Sequence, residues 1–321
     1  MTSTTTTLST ESTLARLLDE ELAFSATFNG RYSNHLPMAL VALDQLGAPT
    51  AALEVTFDAY AQGASEPRAD RAALDERIAE IERDGIDATL ARCIPPLSRG
   101  PGTRLFHPLI RLGYGLDAEH DGQVAAALLD WEEHLLDLSI DVPTSGTRRL
   151  RAVADGVAAQ ADGDWDRTFD LTEVASRPEV QAAVADVRID ASTLDELAAF
   201  VIAAHITADD FITLHMVTGA RALRTVVAHL APSLAAALIA GAVPIMTVAY
   251  AAAGAPAILD DAELDELRHR DLPSRTEIAE QAARSSDAHV IKLANTALVE
   301  EARTGDLLYR LAAARVVDHR G

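Results

Sequence analysis

Apolar residues recur along this sequence at spacings of three and four, and nowhere do they alternate with polar ones over the length of a strand. Leu14, Leu17, Leu18 and Leu22 open the pattern, and Met38, Leu40, Val41, Leu43 and Leu46 repeat it. That period puts the apolar residues on one face of a helix, whereas a half-buried strand needs a period of two. No internal repeat and no strand–helix alternation breaks the run. The expected fold is all-α, a single compact domain of a dozen or so helices.

Caps and breakers set the expected boundaries. Asn34 should cap a helix that carries Pro37 in its first turn and closes at Gly47. A charged helix is expected over 70–86, then a loop through Pro95, Pro96, Gly100, Pro101 and Gly102. A short helix should start at His107-Pro108 and be interrupted by Gly113-Tyr114-Gly115. Further helices are expected over 121–138, 192–205, 209–230, 276–283, 287–302 and 306–317, with turns at 143–146 and 162–166. Ser192 or Thr193, and Thr207 or Asp209, should cap the long pair. Residues 1–13 are Ser/Thr-rich and read as a disordered tail before a single domain over 14–321. Their lack of a basic start and an apolar run speaks against a secretory signal.

The stretch 230–259 carries no charge and has the length of a membrane span. It is rich in Ala and holds Pro232, Gly241, Pro244, Gly254 and Pro256. Prolines should divide it into short pieces, so the expectation is buried core helices and no membrane.

Charge and cysteine usage narrow the function. With 49 acidic against 27 basic residues the formal charge is −22, which repels phosphate backbones and excludes an ordinary nucleic-acid reader. The one cysteine, Cys93, excludes a disulfide framework and any cysteine-based zinc or iron–sulfur cluster, and fits a reducing cytoplasm. There is no GxGxxG, no GxxxxGK[ST], no GxSxG and no HExxH. An ordinary nicotinamide or flavin enzyme is disfavoured.

Histidines remain. Of ten, His35, His107, His215 and His289 sit among apolar residues, where a buried imidazole must find a partner. Any one alone reads as a satisfied core histidine; four suggest convergence on a metal. His120, His134, His269 and His319 lie among charges and read as surface residues. His229 ends a helix, where an imidazolium suits the dipole, and His205 is a reserve ligand.

One basic residue is unlike the rest. Of the 27, 26 are Arg and the single Lys is Lys292, three residues after His289 and therefore on the same helix face. It could pair with a buried carboxylate, Asp287, Asp209 or Asp210. Alternatively its neutral amine takes up carbon dioxide, giving an anionic oxygen donor that Arg cannot supply. Several imidazoles with one anionic oxygen suit divalent iron better than calcium or magnesium.

Four blocks carry a resemblance. Asn34-His35-Leu36-Pro37 with Leu46-Gly47-Ala48, Phe106-His107-Pro108-Leu109-Ile110 with Leu112-Gly113-Tyr114-Gly115, Leu214-His215-Met216-Val217-Thr218, and His289-Val290-Ile291-Lys292 occur in that order over about 30–300. Together they resemble the questin oxidase-like family. The resemblance implies oxidative opening of a ring of an aromatic polyketide, typically an anthraquinone, in secondary metabolism. One description of the family is a metal-free Baeyer–Villiger-type monooxygenase that uses NADPH. The other is a non-haem iron dioxygenase whose metal is held by four histidines and a carboxylated lysine. The second assigns His35, His107, His215, His289 and Lys292 as ligands of Fe(II), with Lys292 and His215 at the centre of catalysis. The chain is shorter than the fungal members and carries Arg111 before its Gly-Tyr-Gly.

The implied partners are a small aromatic polyketide and dioxygen, with NADPH as an external reductant and a homodimer both compatible. Tyr32, Tyr114, Phe211 and Met216, close in sequence to the ligands, are expected to line a flat apolar pocket. Thr218 and Arg221 are expected to hydrogen-bond substrate oxygens or the ligands. Two rivals stay open: the metal-free NADPH enzyme, and a non-catalytic helical protein that binds a polyketide. A hydrolytic zinc site ranks last, because five protein ligands leave no open position.

Overall fold

Leu36, Leu40 and Leu43 on one helix and Leu109, Leu112 and Leu116 on another are buried in the same core, as their helical spacing requires. The computed structural model describes residues 12–30, 32–63, 65–141, 146–161, 163 and 165–320. Among them are seventeen helices and one short hairpin. In chain order these are α1 (Thr13–Glu21), β1 (Thr27–Phe28), β2 (Tyr32–Ser33), α2 (Leu36–Gln45), α3 (Thr50–Gly63), α4 (Arg71–Asp84), α5 (Ile86–Leu97), α6 (His107–Asp117) and α7 (Asp121–His134). There follow α8 (Leu150–Ala161), α9 (Leu171–Ala175), α10 (Pro178–Ala185), α11 (Thr193–Ala208), α12 (Phe211–Ala228), α13 (Pro232–Ala252), α14 (Asp261–Arg268), α15 (Arg275–Ala282), α16 (Ala288–Thr304) and α17 (Leu307–Arg320). The protein is all-α around one hydrophobic core.

Several expected boundaries shift. The tail expected over 1–13 lies outside the described residues up to 11; α1 begins at Thr13, with Ser12 Oγ accepting from the Ala15 N–H. The expected turns at 143–146 and 162–166 fall partly outside them. No strand was expected, yet Thr27 pairs with Ser33 and Phe28 with Tyr32. Two residues per strand leave no periodicity to read. The helix expected over 70–86 ends at Asp84, where Gly85 adopts φ +86° and α5 restarts.

Prolines and glycines also mislead. Pro95 and Pro96 close the last turn of α5 rather than opening a loop. Pro244 sits inside α13, which runs unbroken for 21 residues. By length and composition α13 could cross a membrane; 67% of its most apolar window is buried within the protein. Gly113 and Gly115 do not interrupt α6. A Cβ on Gly113 would stand 2.9 Å from the Ala222 Cα, and one on Gly115 3.1 Å from the Val124 nitrogen. They let α6 press against α12 and α7. The second long helix is capped by Asp210, whose side chain accepts from the Thr213 N–H, and not by Thr207 or Asp209.

Four helices position the site. α2 packs on α6, α6 on α12, α12 on α16, and α16 back on α2, closing a square.

Candidate metal centre

Each helix of the square brings one histidine from near its N-terminus. His35 occupies the N-cap position of α2 and His107 opens α6. His215 stands fifth in α12 and His289 second in α16. Local chemistry sets each start. Asn34 Oδ1 accepts the Leu36 N–H, and Pro37 and Pro108 fill first-turn positions where no N–H is needed. Asp287 Oδ1 accepts the His289 N–H. Because a helical side chain leans toward the N-terminus, His215 reaches back to the same level as the other three.

The imidazoles form a closed ring. Centroids are 4.8 Å apart for His35 and His107, 4.7 Å for His107 and His215, 5.4 Å for His215 and His289, and 4.6 Å for His289 and His35. One donor atom from each of His35, His215 and His289 lies within 4.8 Å of the others. The His35 and His107 Nε2 atoms are 2.7 Å apart. That spacing suits a hydrogen bond, and lies close to the edge of about 2.9 Å between two nitrogens bound at a right angle to one metal.

Outer partners fix the tautomers. His107 Nδ1–H donates to the Arg104 carbonyl, His215 Nδ1–H to the Phe211 carbonyl at 2.8 Å, and His289 Nδ1–H to Asp287 Oδ1 at 2.9 Å. Each bond leaves an Nε2 lone pair for the interior, the arrangement metal-binding histidines use. Burial first, and then the charge of Lys292 and the neighbouring imidazoles, pushes His35 and His107 well below the ordinary histidine range. His215 follows, through burial, then His107, then Lys292. These imidazoles are neutral donors.

Lys292 joins this cluster one turn along α16 from His289. It is fully buried, and its Nζ has no hydrogen-bond partner. The pairing with Asp209, Asp210 or Asp287 left open by the sequence does not form; Asp210 caps α12 and Asp287 holds His289. Burial lowers the amine to about 7, only partly opposed by Asp287. His215 Nε2 is likewise buried without a partner. Two unsatisfied buried nitrogens in one cluster are costly unless a ligand takes them, so the donor set fits a metal ion. His205, the reserve ligand, turns its Nδ1 to the Thr213 hydroxyl at 3.0 Å.

A cavity of about 1290 Å³ opens over the square, with His35, His107 and His289 in its floor. Tyr32 and Phe211 line it as expected. Phe211 lies 4.4 Å from the His215 ring and 5.0 Å from that of His289. The other expected pocket residues lie in the packed interior. Met216 is fully buried and Thr218 bonds the carbonyls of its own helix. Arg221 pairs with Asp117 and lies over the Tyr114 ring, whose hydroxyl donates to Asn295 Oδ1. Arg111 forms a buried ion pair with Glu21. Sequence reasoning did not single out Phe28, Tyr60, Arg104 or Phe169 on the wall, nor Asp287 as a partner of His289. Only Asp287 left a usable signal, as an Asx residue two positions before a candidate ligand.

Of the histidines expected at the surface, His269 is exposed and His134 partly so, but His120 is largely buried, because its ring caps a helix start. His134 pairs with Asp130 and His269 is exposed beside Asp265. His229 caps the end of α12 and His120 the start of α7. The side chain of His319 lies outside the described residues.

A family model described as questin oxidase-like matches residues 78–297. The matched stretch contains His107, His215, His289 and Lys292; His35 precedes it. No curated protein matches the chain.

Proposed function

Because the chain belongs to the questin oxidase-like family, we propose that it is a non-haem iron oxygenase that opens a ring of an aromatic polyketide of the anthraquinone or anthraquinol type. His35, His107, His215, His289 and carboxylated Lys292 would hold Fe(II). The observation that carries this reading is the closed ring of four imidazoles beside a buried amine with no partner.

Every residue of the cluster has a task in it. Arg104, Phe211 and Asp287 orient three rings through Nδ1 and leave Nε2 as the donor. Burial keeps His35, His107 and His215 neutral. Lys292, lowered to about 7, offers a substantial fraction of free amine at neutral pH. Its nitrogen attacks the carbon of carbon dioxide and gives up one proton, leaving a carbamate. That anion supplies the charged oxygen donor that the imidazoles lack, and a guanidinium could not form it. When bound, Fe(II) supplies a path for electrons between an electron-rich aromatic substrate and dioxygen. Phe211 lies against the His215 and His289 rings and lines the cavity. The apolar wall excludes water from a bound ring system.

The test is oxygen uptake by metal-free protein reconstituted anaerobically with Fe(II), with and without bicarbonate, on hydroxylated anthraquinols. The expected result is uptake that needs both additions and a ring-opened product. Uptake unaffected by chelators and dependent on NADPH would overturn the iron reading in favour of the metal-free monooxygenase.

A further inference from the structure

Three of the four imidazoles are aimed by a hydrogen bond at Nδ1, given to the Arg104 carbonyl, the Phe211 carbonyl and the Asp287 carboxylate. His35 is not. Among the described residues nothing bonds its Nδ1, and the ring's polar contact is at Nε2, 2.7 Å from His107 Nε2. A histidine ligand without an outer partner has to be aimed in another way, because its ring can otherwise turn about the side-chain bonds. The backbone supplies that aim. Asn34 Oδ1 accepts the Leu36 N–H at 3.0 Å, which closes an Asx turn with His35 as its middle residue. The turn fixes the direction in which the His35 side chain leaves the chain, while His35 itself makes no side-chain cap to α2.

Asn34 is held in turn from three sides. Its N–H donates to the Ala26 carbonyl at 2.8 Å, and its side-chain amide donates to the Ser25 carbonyl at 3.2 Å and to Glu21 Oε1 at 2.8 Å. Glu21 then links this turn to the helix of His107. Its carboxylate is fully enclosed, and Oε2 accepts at 2.7 Å from Arg111, one turn along α6 from His107. Gln123 of α7 braces both, donating to Glu21 Oε2 at 2.8 Å and accepting from Arg111 at 2.9 Å. One carboxylate therefore bears on the residue before His35 with one oxygen and on the helix of His107 with the other. These are the two ligands whose Nε2 atoms are 2.7 Å apart.

We propose that Asn34, anchored by Glu21, is the positioning residue that aims His35 at the metal and sets its spacing to His107. The inference rests on the metal-site reading above and adds to it two residues that touch neither metal nor substrate. Asn34 does for His35, through the main chain, what the Nδ1 hydrogen bonds do for the other three rings.

Co(II) titration of the metal-free full chain in bicarbonate buffer, against a competing chelator, tests this without turnover, and the visible bands of Co(II) report its coordination. Loss of an outer partner costs a metal site about ten- to a hundredfold in affinity, so Asn34→Ala should bind Co(II) more weakly by that factor and shift the bands. Asn34→Ser keeps an acceptor for the Leu36 N–H but lacks the reach to Glu21. It should fall between Asn34→Ala and the wild type, and it carries the test if Asn34→Ala does not fold. The double-mutant cycle with His35→Ala separates positioning from a merely structural role. Once His35 is gone, the Asn34 substitution should cost no further affinity. Unchanged affinity in the Asn34 variants, or a loss that persists in full in the His35→Ala background, would overturn the positioning proposal and leave the metal site standing. Wild-type affinity in His35→Ala itself, or no Co(II) bound by the wild type, would overturn the metal-site reading and this proposal with it.

Discussion

The residues that open α2 and the helix α6 each contribute to two buried polar clusters, and the two are finished differently. At one, the carboxylate of Glu21 is fully enclosed. Its Oε1 accepts from Asn34 at 2.8 Å, and its Oε2 accepts from Arg111 at 2.7 Å and Gln123 at 2.8 Å. At the other, built from the residue after Asn34 and from one turn before Arg111, Lys292 Nζ and His215 Nε2 have no hydrogen bond. A buried polar atom left unpaired costs about 1–3 kcal/mol. The Glu21 oxygens are all met, with Arg111 Nη1 beside them left unpaired, whereas the imidazole cluster leaves both its amine and an imidazole nitrogen open. Closed polar clusters hold a fold in register; open ones hold room for a ligand.

Removing each cluster's charge should therefore act in opposite directions. The largest effect is expected at Lys292. Its pKa falls from 10.5 to about 7 in the folded state, so the unfolded chain binds more protons between those values. In metal-free, carbonate-free buffer the wild type should gain stability as pH rises from 7 toward 10.5, and lose it again as pH falls. Lys292→Met should lack that slope. The variant should be the more stable protein near pH 6, by at most roughly 5 kcal/mol at 1.36 kcal/mol per unit, with the gap closing by pH 10. Urea midpoints across that range measure it.

Glu21→Ala should do the reverse. It leaves Arg111 buried without its carboxylate, and a loss of about 3–5 kcal/mol is expected in thermal or urea unfolding. A loss below about 1 kcal/mol would remove the contrast between the clusters.

Gly113→Ala probes the contact that brings His107 and His215 together. Ala is the better helix former, yet its Cβ would stand 2.9 Å from the Ala222 Cα. A net loss of about 1–2 kcal/mol is expected, with weaker metal retention although every ligand is intact. The smallest stability change is expected for Phe169→Ala. The side chain is 71% exposed, so stability should move by less than about 0.5 kcal/mol. Affinity for a flat aromatic should still fall several-fold, as calorimetric titration would show.

The helical fold was legible because apolar periodicity survives in sequence; its continuity through Pro96 and Pro244 was not, because packing overrides local preference. The four histidines and Lys292 stood out through apolar context and rarity. The cavity wall did not. Tyr114, Met216, Thr218 and Arg221 were expected there because they lie close to ligands in the chain. On a helix, however, Met216 points about 100° away from His215, and Thr218 lies a turn further from the N-terminal end. Phe169 and Arg104 come from loops whose meeting is set by tertiary packing alone.

The central claim is that the open cluster holds iron. Mass spectrometry of protein purified without a metal-affinity tag, beside Lys292→Met, tests it most directly. The account predicts iron bound in a one-to-one ratio with the chain and lost from a folded variant. Absence of metal from the wild type even after anaerobic Fe(II) reconstitution, or full iron in Lys292→Met, would contradict it.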